Sequence, residues 1–313
     1  MKRYIAFGSI VILIIFLASF SKDEPKNKAD LGKLLFFDPI LSKDSTISCA
    51  NCHKPDYAFA DTSATSRGIG GIKGVRNTPS AMNVALQSIF FWDGRAKNLE
   101  EQALAPIENH VEMNLSLDSA LLRLQQNEKY RTYFQKIFNS QPSRENLASS
   151  IAAFERTLET SDSPFDVWKF FDDSNAVSDA VKRGFNIFNT KGTCIKCHFG
   201  SNFDLNEFRN IGLFNGKELN DSGRSAISGN IEDIGKFKIA ALRNVAVTAP
   251  YMHNGMFKTL REVIDFYNDP GKVVPNAINR DSILAKPLGL TDQDKTDLEA
   301  FLNSLTDKRF TKK

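Results

Sequence analysis

Two short motifs, CANCH at residues 49–53 and CIKCH at residues 194–198, contain all four cysteines of the chain. Two thiols three positions apart can add to the two vinyl groups of a haem, and the histidine that follows is then held under the iron as an axial ligand. Each motif therefore predicts one covalently bound c-type haem. The residues predicted to bind the two haems are Cys49, Cys52 and His53 for the first and Cys194, Cys197 and His198 for the second.

Other uses of four cysteines are a structural zinc site that combines both pairs or a redox-active Cys-x-x-Cys pair. Neither explains why a histidine directly follows both motifs. The haem interpretation explains every cysteine and both histidines, so the rest of the chain is interpreted around it.

An amphipathic helix is predicted immediately before each motif. The apolar residues of 31–36 fall on one helical face, and Asp38-Pro39 should end that helix. The segment 183–188 matches it, with Gly184 at the position of Gly32. This repetition predicts an internal duplication. Further helices are predicted over 99–105, 118–140, 143–160, 178–188, 259–267 and 291–304.

Strand signals are few, so we predict an all-α fold of two cytochrome c-like haem domains that arose by internal duplication. The domains are predicted over 23–165 and 175–313, with a linker over 161–175. With 42% hydrophobic residues, 313 residues can bury two cores. The net charge of +3 is dispersed along the chain, which argues against nucleic-acid binding.

The amino terminus predicts export. Lys2 and Arg3 precede an apolar run over 5–20, which is typical of a signal peptide and short for a membrane span. Because the run lacks a clear cleavage site, residues 1–22 are predicted to be either a signal peptide or an uncleaved N-terminal anchor. Both place the haem-binding part of the chain in the periplasm.

Several further segments carry a family resemblance. The sequence resembles the bacterial di-haem cytochrome c peroxidases, the superfamily that also contains MauG, over nearly the whole mature chain. The resemblance implies a peroxidatic haem in the first domain, an electron-transfer haem in the second and a calcium ion between them. Besides the two haem motifs, the matching segments are RNTPS at 76–80, FWDGR at 91–95, IENHVEM at 107–113, ALRNV at 241–245 and TAPYMHNG at 248–255.

The resemblance also assigns roles to individual residues. Glu112 matches the carboxylate that moves a proton between the peroxide oxygens, and Gln102 is its hydrogen-bonding partner. Trp92 matches the tryptophan that lies between the two haems. The calcium ligands are matched by one side-chain amide and two backbone carbonyls, those of Asn77, Thr248 and Pro250.

The duplication predicts which iron is open. If Leu99 corresponds to Leu260, the same offset places Tyr267 opposite Pro106. A tyrosine can ligate iron and a proline cannot, so Tyr267 is predicted to cap the second haem, with Met252 and Met256 as rival ligands. The loop over 66–74 contains no histidine, although many di-haem peroxidases carry a capping histidine there. The first haem should therefore react with peroxide without prior reduction.

The predicted function is reduction of hydrogen peroxide to water, with electrons from a small periplasmic cytochrome c or cupredoxin. The alternative is a MauG-like enzyme that oxidises a protein substrate through a high-valent di-haem state. A third interpretation, a di-haem electron carrier without catalysis, leaves Glu112 and Gln102 without a role. A homodimer is left open beside a monomer.

Overall fold

The computed structural model describes residues 24–160 and 162–311, so the predicted signal peptide or anchor lies outside the described residues. Within them, no helix combines the length and apolar character needed to span a membrane. The only sheet in this part of the chain is an antiparallel pair of two-residue strands. The elements are α1 (Lys28–Phe37), α2 (Cys49–Cys52), α3 (Leu99–Glu108), α4 (Leu117–Gln126), α5 (Glu128–Phe138), α6 (Arg144–Glu155), α7 (Pro164–Phe170), α8 (Asp179–Asn189), β1 (Phe208–Arg209), α9 (Ser225–Ser228), β2 (Phe237–Lys238), α10 (Leu260–Asn268), α11 (Pro270–Val273) and α12 (Asp292–Ser304).

Two helix pairs organise the fold, α1 with α6 and α8 with α12, and each pair is in closest contact at a glycine. A Cβ atom at Gly32 would clash with the carbonyl of Ser150, and a Cβ atom at Gly184 would clash with the carbonyl of Asp297. Only glycine allows the two backbones to approach so closely. The helix before each haem motif is therefore seated on a later helix by the same contact.

Each helix pair belongs to its own hydrophobic core. The first core contains Phe36 and Phe134, both fully buried. The second is built around the fully buried ring of Phe301, which makes edge or tilted contacts with four other phenylalanines. The four rings around Phe301 are Phe165, Phe185, Phe188 and Phe203. Burial of apolar side chains thus stabilises two separate hydrophobic cores, and one haem motif packs against each core.

The prediction of one helix over 118–140 is wrong, because the chain breaks into α4 and α5 at Asn127. The side chain of Asn127 accepts a hydrogen bond from the Tyr130 backbone N–H and caps the second helix. The predicted linker over 161–175 also differs from the structure, since it contains α7. Ser163 caps this helix, and Phe165 packs into the second core.

Candidate haem-binding cavities

The first motif lines a cavity of about 460 Å³. Cys49, Cys52 and His53 all contribute to its wall, because the cysteines lie at the two ends of the single-turn helix α2 and the histidine caps it. Helix α3 and the turn after it contribute Gln102, Pro106 and Glu112. The predicted haem ligands and the predicted catalytic pair therefore surround one space.

The second motif lies beside two smaller cavities, of about 180 Å³ and about 70 Å³. His198 and Tyr267 line both of them, while Cys194 and Cys197 line the smaller one. The second set of predicted haem ligands is therefore also assembled around one region. Arg209 also lines both cavities.

The two predicted axial histidines are oriented identically. His53 Nδ1 lies 2.9 Å from the carbonyl oxygen of Phe59, and His198 Nδ1 lies 2.9 Å from that of Phe203. A carbonyl only accepts hydrogen bonds, so Nδ1 carries the proton and Nε2 is the nitrogen available to a metal; the Ala240 carbonyl also lies near the His198 ring. Burial lowers the pKa of both imidazoles and favours this neutral form. Both rings are thus in the tautomer that ligates a metal through Nε2.

The cysteines fit thioether attachment better than redox or zinc chemistry. Burial raises the pKa of the Cys49 and Cys194 thiols to about 12, whereas a redox-active cysteine needs a lowered pKa. The described residues contain no group of three or more His, Cys, Asp or Glu side chains arranged to hold a metal ion. The four cysteines therefore do not form one zinc site. Two thiols and one imidazole at each place are the donor set that a c-type haem requires.

Glu112 is fixed in the first cavity by local contacts. Its Oε1 accepts a 2.6 Å hydrogen bond from Asn109 Nδ2, and its carbonyl accepts one of 2.8 Å from the Ile69 N–H. A Cβ atom at Gly68 would clash with the carbonyl oxygens of Val111 and Glu112, so glycine is needed for the loop to lie against this turn. Burial raises the pKa of Glu112, which the Asn109 hydrogen bond and the Arg95 charge partly oppose.

Trp92 lies between the cavities and lines both the first cavity and the larger of the other two. Its Nε1 donates a 2.8 Å hydrogen bond to the carbonyl of Asn77, which fixes the indole ring. Its own carbonyl accepts a 2.8 Å hydrogen bond from the Lys238 backbone N–H of strand β2. The small sheet thus contributes to the position of this tryptophan.

The three predicted calcium ligands lie together, since Asn77, Thr248 and Pro250 all line the larger cavity beside the second motif. Asn77 Nδ2 faces two backbone carbonyls, those of Ser63 and Ala64, each at 3.3 Å. With the amide nitrogen used as the donor, the amide oxygen is the remaining acceptor. The three residues can therefore offer oxygen atoms, the donors that calcium prefers.

The structure distinguishes among the three residues predicted as candidate ligands of the second iron. Tyr267 on α10 and Met252 both line the larger cavity, whereas Met256 is 37% exposed and does not contribute to it. Burial raises the pKa of the Tyr267 hydroxyl, and the neighbouring thiolates would raise it further. The phenol therefore stays protonated unless a cation binds beside it. Pro106, at the position predicted to correspond, lines the first cavity within α3.

Lys238 and Glu155 are two charged residues of the cavity walls that sequence reasoning missed. Lys238 lines both the first and the second cavity, and its Nζ donates to Gln87 Oε1 at 2.5 Å and to the Ile89 carbonyl at 3.2 Å. Glu155 lines the first cavity from the end of α6, one turn after the buried Ile151. A glutamate on the apolar stripe of a helix was the available signal for Glu155. Lys238 lies in a short strand, and no sequence pattern indicated that it would line a cavity.

Comparisons with known proteins identify a family and several relatives. Residues 26–174 match the sequence model of the family described as di-haem cytochrome c peroxidase. The chain is 37% identical over 282 residues to the methylamine utilization protein MauG of Methylorubrum extorquens, covering 89% of this chain and 78% of that protein. It is 37% identical over 292 residues to the cytochrome c551 peroxidase of Pseudomonas aeruginosa, covering 91% and 80%. A crystal structure of a MauG-like protein associated with microbial copper homeostasis superposes with a TM-score of 0.81 at 32% identity, covering 92% of this chain and 94% of that one.

Proposed function

The chain belongs to the di-haem cytochrome c peroxidase family, which implies two haem cofactors, and from this premise we propose that it reduces hydrogen peroxide to water. The electrons would come from a small cytochrome c or cupredoxin in the periplasm. The observation that carries the proposal is that Glu112 and Gln102 line the same cavity as the first Cys-x-x-Cys-His motif.

A bound haem would supply the iron that binds peroxide and exchanges electrons with it. Within this cavity Glu112 is the group that moves the proton, taking it from one peroxide oxygen and returning it to the other. Its raised pKa supports that role, because a carboxyl that titrates closer to neutral pH both accepts and donates protons readily. Gln102 supplies an amide that can hydrogen-bond to the peroxide or to Glu112.

Peroxide reduction takes two electrons, and Trp92 is proposed to carry them between the two haem sites. The support is its place in the walls of both cavities and the hydrogen bond that holds its ring to Asn77. The second site would hold its haem through Cys194, Cys197 and His198. Tyr267 would supply the other axial ligand.

A second candidate function is oxidation of a protein substrate, as in the MauG-like alternative. Its specific support is Tyr267 in the wall of the second site, since an anionic phenolate favours ferric iron and disfavours storage of electrons there. The relatives named MauG and those named cytochrome c peroxidase match the chain at similar identity, so both functions belong to the family's range.

Calcium binding by Asn77, Thr248 and Pro250 is proposed because all three residues line the larger cavity beside the second motif and each carries oxygen donors of the kind that calcium prefers. Export to the periplasm rests on the basic and apolar segment over 2–20. Homodimer formation remains a prediction, as do the two haem domains and their origin by duplication. The matching glycine contacts of Gly32 and Gly184 support the duplication.

The experiment that tests the main proposal measures peroxide consumption and donor oxidation together. A peroxidase should oxidise two one-electron donors, such as reduced cytochrome c, for each peroxide consumed. A protein-oxidising enzyme would consume peroxide with little donor oxidation, and a carrier would consume none. Either of those two results would overturn the proposed peroxidase function.

A further inference from the structure

Glu155 is a buried acid that the proposed mechanism does not use. It is the last residue of α6, it is 5% exposed, and its Oε2 is buried without a hydrogen-bond partner. The adjacent Arg156 does not pair with it, because the Arg156 guanidinium binds both carboxylate oxygens of Glu100 at 2.7 and 3.0 Å. Buried carboxyls are ordinarily paired, so an unpaired one that lines a cavity indicates a function there.

The surroundings of Glu155 keep it protonated near neutral pH. Burial raises its pKa to about 8, with Arg156 opposing the shift and Glu100 adding to it. The other charged groups on the packed elements are engaged elsewhere or exposed. On α1, Lys28 and Lys33 are exposed, and Asp30 accepts a hydrogen bond from the Lys26 backbone N–H. In the cavity wall, Arg95 forms an ion pair with Asp93. Glu112 accepts a hydrogen bond from Asn109.

Glu155 lies within electrostatic reach of the attachment site of the first haem. When Glu155 is ionised, its charge is, after burial, the largest influence on the pKa of the Cys49 thiol, larger than that of the neighbouring Cys52. The sulfur of Cys49 is the atom to which the haem would be bonded. By the same interaction, an electron added to that haem would hold the Glu155 proton more tightly.

We propose that Glu155 holds a proton whose binding is coupled to the electron on the first haem, and that it gives this proton to a peroxide oxygen in the cavity, which is released as water. The inference rests on the proposed function. Reduction of one peroxide to two waters consumes two electrons, from the reduced donor protein, and two protons, from solvent. Glu112 only moves a proton that peroxide already carries, so it adds none. Glu155 would supply one of the two and be reprotonated at the solvent-exposed face formed by Arg156 and Glu100.

The test is a spectroelectrochemical titration of the holoprotein without peroxide, which gives the midpoint potential of the first haem between about pH 6 and about pH 9. In the wild type the potential should fall as the pH rises, because reduction then requires a proton that is scarcer. Glu155→Gln should remove the part of this fall near pH 8. Glu159→Gln makes the same change at an exposed position four residues later, and this variant should show the same pH dependence of the potential as the wild type.

Glu155→Asp restores an ionisable group and should restore a pH-dependent potential, which a purely structural role would not predict. A wild-type potential that does not change with pH would overturn the proposal without any variant. So would a pH dependence that survives Glu155→Gln and disappears in Glu112→Gln. Absence of a redox-active haem at the first motif would instead contradict the proposed function, so the two failures are distinguishable.

Discussion

The cavity beside Cys49 and Cys52 and the paired cavities beside Cys194 and Cys197 share the same local hydrogen bonds, although the first cysteine pair lies on an α-helical turn and the second begins a 3-10 turn. In both, the histidine backbone N–H donates a 2.9 Å hydrogen bond to the backbone carbonyl of the first cysteine. Histidine Nδ1 lies 2.9 Å from a phenylalanine carbonyl oxygen in both. The helix before each motif crosses its partner at a glycine. The contacts that position the residues for covalent haem attachment are therefore the same in the two sites.

The rest of the wall differs. Helix α3 and the turn after it give the first cavity a proline, an amide and a carboxyl, whereas α10 gives the second site a tyrosine. A proline leaves iron accessible and a tyrosine can cap it. We therefore propose that the same attachment motif serves two purposes, and that the helix facing each motif decides whether its iron is open or capped. The predictions below test this contrast, from the largest expected effect to the smallest.

Glu112→Gln should lower peroxide turnover by ~10² or more, the usual scale for loss of a general acid–base group, while both haems remain attached. Steady-state peroxide reduction with a reduced donor measures the effect. Glu108→Gln, at the exposed last residue of α3 four positions earlier, is the control and should retain most of the activity. Equal turnover in Glu112→Gln and wild type would remove Glu112 from the mechanism.

Pro106→Tyr should make the first site resemble the second. The wild-type ferric protein is expected to bind cyanide at the first haem at once, whereas a tyrosine that caps the iron most of the time would lower the apparent affinity roughly tenfold. Optical titration with cyanide checks both statements. A wild-type lag that one electron per molecule abolishes would show that the first iron is already capped.

Tyr267→Met should raise the midpoint potential of the second haem, because a neutral thioether stabilises ferric iron less than a phenolate does. The expected shift is on the order of a hundred millivolts, well within the range of ~0.8 V that axial ligands span. Redox titration followed by absorbance measures it. If Tyr267→Phe keeps the wild-type potential and low-spin spectrum, Met252 becomes the candidate ligand.

Glu155 should make stability fall as the pH rises. Its pKa is about 8 in the folded protein against 4.5 for an ordinary glutamate, so between these values the folded state binds more protons than the unfolded state. The free energy of unfolding should therefore decrease between about pH 5 and about pH 8, by at most ~1.4 kcal/mol per pH unit from this group. Urea unfolding of the holoprotein at several pH values measures the slope.

Glu155→Gln should flatten that slope, since the glutamine binds no proton in either state. Glu159→Gln should leave it unchanged, because an exposed glutamate has nearly the same surroundings before and after unfolding. A slope that is identical in wild type and Glu155→Gln would show that the buried carboxyl is not the titrating group.

The sequence was sufficient where chemistry is local. The spacing of the two motifs predicted the residues that would hold each haem, and the family resemblance pointed to Glu112, Gln102 and Trp92, all of which line the first cavity. Prediction from the sequence failed where a single polar side chain decides where a helix ends, as when Asn127 divides one predicted helix into α4 and α5. Glu155 was missed although it interrupts the apolar stripe of α6, because its burial depends on segments that are distant in sequence.

Electron paramagnetic resonance of the as-isolated diferric protein tests the central contrast most directly. An open first iron and a capped second iron should give one high-spin and one low-spin ferric signal of comparable intensity. Because the spectrum is recorded without donor or peroxide, it depends on the axial ligands alone. Two low-spin signals would contradict the account, since they would show that the first haem is capped as the second one is.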